Sequence, residues 1–259
     1  MANSREAQTL TDEPCISIII TTLNEEKFIS GCLASCLEQK NIGFKIILVD
    51  GGSTDLTLEI ASSILRPCDD IISLPGSSIY EAWNHGVTCG STPWLSFLGA
   101  DDAWSSKYSL SALYSFALAG SCSFVCCKSY LYDRSPPPFT NLVTIRGSYY
   151  SRRAHLKGKL SISHPGALYS RSLFEKFGLY DTSYSIIGDS EHLLRCDNSD
   201  FGFIPLPLVK VTASGLSMKS KYRHYIELAR QMKSYLTLSS LIPLFFVCLK
   251  IVFFKLAKR

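Results

Sequence analysis

Apolar positions along the chain follow two alternating rhythms. Residues 15–21 (CISIIIT) and 45–49 (KIILV) are short, unbroken runs rich in β-branched residues, the pattern of strands covered on both faces. Between them Phe28, Ile29, Cys32, Leu33, Cys36 and Leu37 recur at three-and-four spacing, which predicts an amphipathic helix against a sheet. Leu56, Ile60, Ile64 and Leu65 mark a second helix, closed before Pro67. A short strand at 71–74, a helix at 79–86 and an apolar run from Trp94 to Leu98 continue the alternation. That order predicts an α/β fold built on a doubly wound, mostly parallel sheet.

The rhythm loosens afterwards. Residues 109–118 read as a helix and 123–132 as a strand near a sheet edge, while Pro136-Pro137-Pro138 can only be a loop. A late strand is expected at 203–211, then a small-residue loop at 214–217 and a helix over 219–233. The tail from Tyr235 to Arg259 is strongly apolar, but Ser239, Ser240, Pro243 and Lys250 interrupt it. Since a spanning helix needs about 20 largely apolar residues, an amphipathic helix in the cytosolic leaflet fits better. A helix packed on the protein's own surface or on a partner subunit, such as a second copy, satisfies the same pattern.

Composition narrows the partners. The net charge of +4 is mild and no basic cluster interleaves with aromatics in mid-chain, which argues against nucleic acid. No charged leader with an apolar core opens the sequence, so a cytoplasmic location is expected. The ten cysteines lie among apolar residues without a CxxC pair and read as buried free thiols. Arg146, Arg152, Arg153, Lys157 and Lys159 follow the prolines and are either solvated or suited to an anionic diphosphate or lipid headgroup.

The chemistry sits where strands stop. The Trp94 run ends at Gly99-Ala100-Asp101-Asp102, and ligands of open α/β sheets bind at the carboxyl ends of strands. Two adjacent carboxylates there either cap the following helix or await a divalent cation. Asp50-Gly51-Gly52-Ser53-Thr54-Asp55 ends the second strand as an ordinary turn with a helix cap or as a nucleotide contact. It is neither a dinucleotide glycine loop nor a P-loop. Downstream, Asp189 stands at a helix start, either as an N-cap or as a base able to take a hydroxyl proton.

Four stretches in order, Thr21-Thr22-Leu23-Asn24-Glu25, VDGGSTD at 49–55, SIYEAWNHG at 78–86 and WLSFLGADD at 94–102, resemble the motifs of glycosyltransferase family 2 and its GT-A fold. The resemblance implies an inverting transferase acting on a nucleotide-diphosphate sugar, with a UDP-type donor. Thr21, Leu23, Asn24, Glu25, Asp50, Ser53, Tyr80, Asn84, Ala100 and Asp101 would hold the donor. Asp102 would bind a divalent metal, Mg2+ or Mn2+, and Asp101 the ribose or the metal shell. In the second half, residues 163–174 and 177–181 are similar to the family's acceptor side, with His164 there. Asp189 matches the first acid of an Asp-x-Asp-Leu pattern, and Glu191 replaces the second as a reserve base. The loop before Ile79 departs from the pattern, having Gly76-Ser77-Ser78 without an acid.

The implied organisation is a flexible stretch at 1–14 and a GT-A domain at 15–217, divided into a nucleotide-sugar half (15–105) and an acceptor half (106–217). A helical, membrane-leaning tail completes it at 218–259. The apolar tail points to peripheral association with the cytoplasmic membrane and to a lipid-linked saccharide acceptor in polysaccharide or glycan biosynthesis. Hexosyl and N-acetylhexosaminyl transfer both fit. A nucleotidyltransferase of related fold would need a basic phosphate loop near the start, where Thr22 to Glu26 supplies acids instead. A non-catalytic nucleotide-sugar-binding protein at the membrane surface is the other alternative.

Overall fold

The computed structural model describes residues 13–135, 138–159, 162–196, 200–213, 220–235 and 241–256. β1 (Ile16–Thr22), α1 (Ile29–Leu37), β2 (Phe44–Asp50), α2 (Thr57–Ile64), β3 (Asp70–Ser73), α3 (Ile79–Cys89) and β4 (Trp94–Gly99) realise the expected alternation. They are followed by β5 (Ala103–Trp104), α4 (Ser109–Ala119), β6 (Phe124–Tyr132), β7 (Leu142–Arg146), α5 (Arg152–His155), β8 (Leu168–Ser170), α6 (Arg171–Phe177), α7 (Gly188–Arg195) and β9 (Phe201–Thr212). Two helices, α8 (Lys221–Ser234) and α9 (Leu241–Leu256), end the described chain.

One sheet runs in the order β3-β2-β1-β4-β8-β6-β9-β5, with β7 pairing β6. The first four strands are parallel, as is the β6–β9 pair; β8 is antiparallel to β4 and β6, and β5 to β9. β1 is central because both its faces are apolar. Ile16, Ile18 and Ile20 pack with α1, α2 and α4, while Ile19 joins Tyr80, Trp83 and Phe97 on the other face. There α3 lies so close that a Cβ on Gly86 would come within 2.5 Å of the Ile19 side chain. Register brings Thr22 beside Asp50 and Thr21 beside Gly99, so three strands stop at one edge.

Several elements differ from expectation. β5 is too short for periodicity to show, and β9 extends beyond 203–211 at both ends. Arg146 closes β7 and Arg152 opens α5, where its guanidinium donates to the Leu194 carbonyl, so part of the basic stretch is structured. α8 buries Leu228 and Met232 in the same cluster as Tyr150 and Leu193 and therefore packs with the domain. The expected loop at 214–217 lies outside the described residues. All ten cysteines are free, but Cys68, Cys89 and Cys248 are exposed rather than buried; burial pushes the thiols of Cys126, Cys127 and Cys196 up to about 12.

Candidate active site at the ends of the parallel strands

The β1 end and the turn after β2 are built as one unit. Asn24, with φ at +55°, donates its amide to Ser53 Oγ at 2.9 Å and accepts from the Thr54 amide through Oδ1 at 2.8 Å. Asp50 is fully buried; its Oδ2 accepts from the Gly52 and Ser53 amides at 2.9 Å each, and its Oδ1 from the Ser53 hydroxyl. The Asp50 carboxylate thus closes the turn, while Asp55 Oδ1 caps the start of α2 by accepting from the Thr57 amide at 3.0 Å. Thr21 holds Ala100 through backbone, carbonyl to amide at 3.2 Å, while Leu23 projects into solvent.

Beside this unit lies a cleft of about 450 Å³ lined by Asn24, Glu25, Glu26, Lys27, Phe28, Asp55 and Arg134. Arg134 is the residue that sequence reasoning missed. Its guanidinium donates to both carboxylate oxygens of Glu25, reaches Asp101 Oδ2 at 3.4 Å and lies 4.8 Å from the centre of the Phe28 ring. Arginine suits this place because its planar fork pairs with a carboxylate and stacks on a ring together. No local pattern marks it, since 109 residues separate it from Glu25.

The paired acids do not cap a helix: α4 starts only at Ser109, and its Leu110 amide donates to Gln39 Oε1 at 2.9 Å. Asp102 is buried and accepts from the Gly99 amide through Oδ2 at 3.0 Å. Asp101 Oδ2 accepts from the Thr212 hydroxyl. A Cβ on Gly99 would sit 2.8 Å from Asp101 Oδ1 and 3.1 Å from Asp102 Oδ2, so glycine makes the room both carboxylates use. Burial, and then the charge of Asp101, push the Asp102 carboxyl well above the usual carboxylate range; Arg146 pulls the other way. A cation between the two would relieve both costs, which is the observation that fits a metal here. Among the described residues no third carboxylate, imidazole or thiol completes a protein-only metal cluster. Its remaining positions would fall to ligand and water oxygens.

In the second half of the chain α7 presents Asp189. Ile187 precedes the helix without a side-chain cap bond, and the Asp189 carboxylate turns instead to α3, where the Tyr80 hydroxyl donates to Oδ1 at 3.0 Å. Its Oδ2 lies 4.0 Å from His164 Nδ1. That nitrogen is 2.8 Å from the Tyr169 hydroxyl, and His164 Nε2 is buried with no partner among the described residues. Burial pulls the His164 imidazole below its ordinary value, opposed by Asp189. Gly188 admits the tyrosine ring, because a Cβ there would come within 2.8 Å of it.

Two expected site residues are engaged elsewhere. Glu191, two positions beyond Asp189, faces the other side of a helix that turns about 100° per residue. It accepts from Arg195 Nε through both oxygens, at 3.0 and 2.9 Å, and from the Tyr235 hydroxyl at 3.2 Å. Asn84 clasps the Tyr180 backbone, Nδ2 to the carbonyl and Oδ1 from the amide, at 2.9 Å each. The structure brings Asn24, Glu25, Ser53, Asp50 and the acids to one edge, joins Tyr80 to Asp189, and leaves Glu191 outside that group.

A family model described as "Glycosyl transferase family 2" matches residues 17–178. A "PGL/p-HBAD biosynthesis glycosyltransferase" of Mycobacterium bovis is 32% identical over 192 residues, covering 71% of this chain and 70% of that protein. Staphylococcus aureus TarS 1-349 in complex with UDP-GlcNAc superposes with a TM-score of 0.64 at 18% identity, covering 83% of this chain and 66% of that one. The chain spans 38% of the longer TarS structure. Mannosyltransferase PcManGT from Pyrobaculum calidifontis, in complex with GDP-Man and Mn2+, gives 0.59 at 18%, over 85% and 63% of the two chains. These likenesses give the GT-A fold.

Proposed function

The chain belongs to glycosyl transferase family 2, and on that premise we propose that it moves a sugar from a nucleotide-diphosphate donor, of the UDP class, to a saccharide hydroxyl with inversion. The observation that supports this reading is Asp189 at the start of α7, with one carboxylate oxygen held by the Tyr80 hydroxyl of α3 and the other left toward His164. The donor would lie along the edge formed by β1, β2 and β4. Asn24, Ser53 and the turn closed by Asp50 would shape the nucleoside pocket, with Glu25 and Arg134 at its rim. The ribose would meet Asp101.

Asp102 would hold a divalent cation, Mg2+ or Mn2+, which when bound supplies charge to the departing diphosphate as a Lewis acid. Asp189 Oδ2 would take the acceptor proton as its oxygen attacks the anomeric carbon, while the Tyr80 hydrogen bond keeps Oδ1 from rotating into that place. Glu191 is assigned a structural part. His164, beside the base, would orient the acceptor. Either a hexose or an N-acetylhexosamine fits this scheme.

A lipid-linked acceptor and a peripheral position on the cytoplasmic membrane are supported by α9. Val247 faces the protein at 7% exposure, whereas Phe245, Phe246 and Leu249 stand out at 60%, 57% and 48%. Among the described residues no helix is long and apolar enough to cross a membrane. From 221 onward the sequence has Lys221, Arg223, Arg230, Lys233, Lys250, Lys255, Lys258 and Arg259 against Glu227 alone, an imbalance that favours anionic headgroups.

The test is paired. Asp189→Asn and Asp102→Asn should each lower turnover by about a thousandfold or more, and only the second should weaken Mn2+-dependent UDP binding by calorimetry. Turnover unchanged in both would refute the assignment.

A further inference from the structure

Glu227 is a buried carboxylate with no part in the transfer just described. It lies on α8 at 6% exposure. Its Oε1 accepts from the Ser185 amide at 2.9 Å and the Ser185 hydroxyl at 2.7 Å; its Oε2 accepts from the amides of Ile186 at 2.9 Å and Ile187 at 3.2 Å. Those three residues lead straight into α7, whose second residue is Asp189. One turn further along α8, Gln231 Nε2 donates at 3.1 Å to the hydroxyl of Ser190, the residue after Asp189. The α8 helix therefore grips the chain on both sides of the candidate base.

Docking alone does not call for a carboxylate. Leu228 and Met232 already seat α8 in the core, and an ion buried without compensation costs several kcal/mol. What a carboxylate adds is direction: three amides and a hydroxyl converge on two oxygens, fixing the backbone that enters α7. Tyr80 can reach Asp189 only if that entry is correct, because its ring already packs against Gly188 with no room for a Cβ.

We propose that Glu227 is a positioning residue for Asp189, acting through residues 185–187 to set where the carboxylate meets Tyr80 and the acceptor hydroxyl. This rests on Asp189 being the base. The test compares the full chain with Glu227→Gln, which keeps the size but leaves one side of the head a donor. Hydrogen exchange of the 186–190 amides should quicken while that of β1–β4 does not. Turnover, followed as UDP release from UDP-GlcNAc with a soluble saccharide, should show kcat down about tenfold or more, with the donor KM and the affinity for UDP with Mn2+ unchanged.

Glu227→Asp, with the charge kept but one methylene less reach, should fall between, and carries the same measurements if the glutamine variant does not fold. Unchanged exchange at 186–190 would overturn the proposal, as would exchange rising evenly through the sheet, which marks an ordinary core residue. If the native chain does not turn over this donor, exchange alone decides. If Asp189→Asn keeps turnover, the base assignment fails separately, and exchange still reports whether Glu227 fixes the entry to α7.

Discussion

Asp101 and Asp102 are neighbours in sequence but not in environment. Asp102 is buried against the Gly99 amide with its carboxyl pushed upward, whereas Asp101 shares Arg134 with Glu25 and takes the Thr212 hydroxyl. Arg134 brings positive charge to a cleft otherwise rich in acids, with Glu25, Glu26 and Asp55 on its lining and only Lys27 beside it. Removing it should repel a diphosphate: Arg134→Ala is expected to raise the donor KM about tenfold, an effect of roughly 1.4 kcal/mol, with kcat much less affected. A KM within twofold of native would contradict this. The acids were legible in the sequence because a local pattern, an apolar run ending at glycine, announces them. Arg134 was not, because its partners are distant in sequence. Asn84 shows what a motif does not announce, since the fold uses its amide to clasp the Tyr180 backbone.

At the scale of elements, α7 is held by groups that must stay uncharged. His192 stacks on Phe174 at 4.6 Å with Nε2 3.0 Å from the Gly178 carbonyl, and His155 lies buried between Tyr150 and Ser190. Burial, and then Arg195 and Arg152 respectively, push these imidazoles down to about 3 and about 4. Both lie below the ordinary histidine value of about 6.5, so between these limits the unfolded chain binds more protons than the folded one. Stability should therefore climb as pH rises from 4 to 6.5, each histidine contributing on the order of 3 kcal/mol. Asp102, whose carboxyl is raised, works in the other direction. Thermal unfolding across this range checks the balance, and replacing His192 and His155 should flatten the climb; a slope unaltered by their loss would show that other groups set it. The helix itself was legible from its acidic start. Its burial was not, because mean polarity hides a face made of Leu193, Leu194 and a histidine.

Across the whole molecule, legibility falls with the share of local order. The donor half alternates strand and helix over short connections, so periodicity alone predicts it. The second half depends on a three-residue strand, on the pairing of β9 with the two-residue β5 of the first half, and on other pairings between distant segments, which no window of sequence contains. The C-terminal region divides the same way: its apolar character is plain, but only packing separates α8, which enters the core, from α9, which sets Val247 against the same cluster and leaves Phe245, Phe246 and Leu249 outside. A chain ending at Tyr235 should accordingly keep its fold and its turnover of soluble acceptor, while losing flotation with phosphatidylglycerol vesicles. Retained flotation would place the membrane contact elsewhere.

The Tyr80–Asp189 hydrogen bond joins positions 109 residues apart. Contacts of such separation pay a large loop-closure cost and are not nucleated locally. A nascent or partly unfolded chain is therefore expected to assemble the parallel strands of the proposed nucleotide site before Asp189, the proposed base, is in place. On the proposed reading such a chain would hold the activated sugar without spending it on water, and chemical competence would double as a signal that folding is complete.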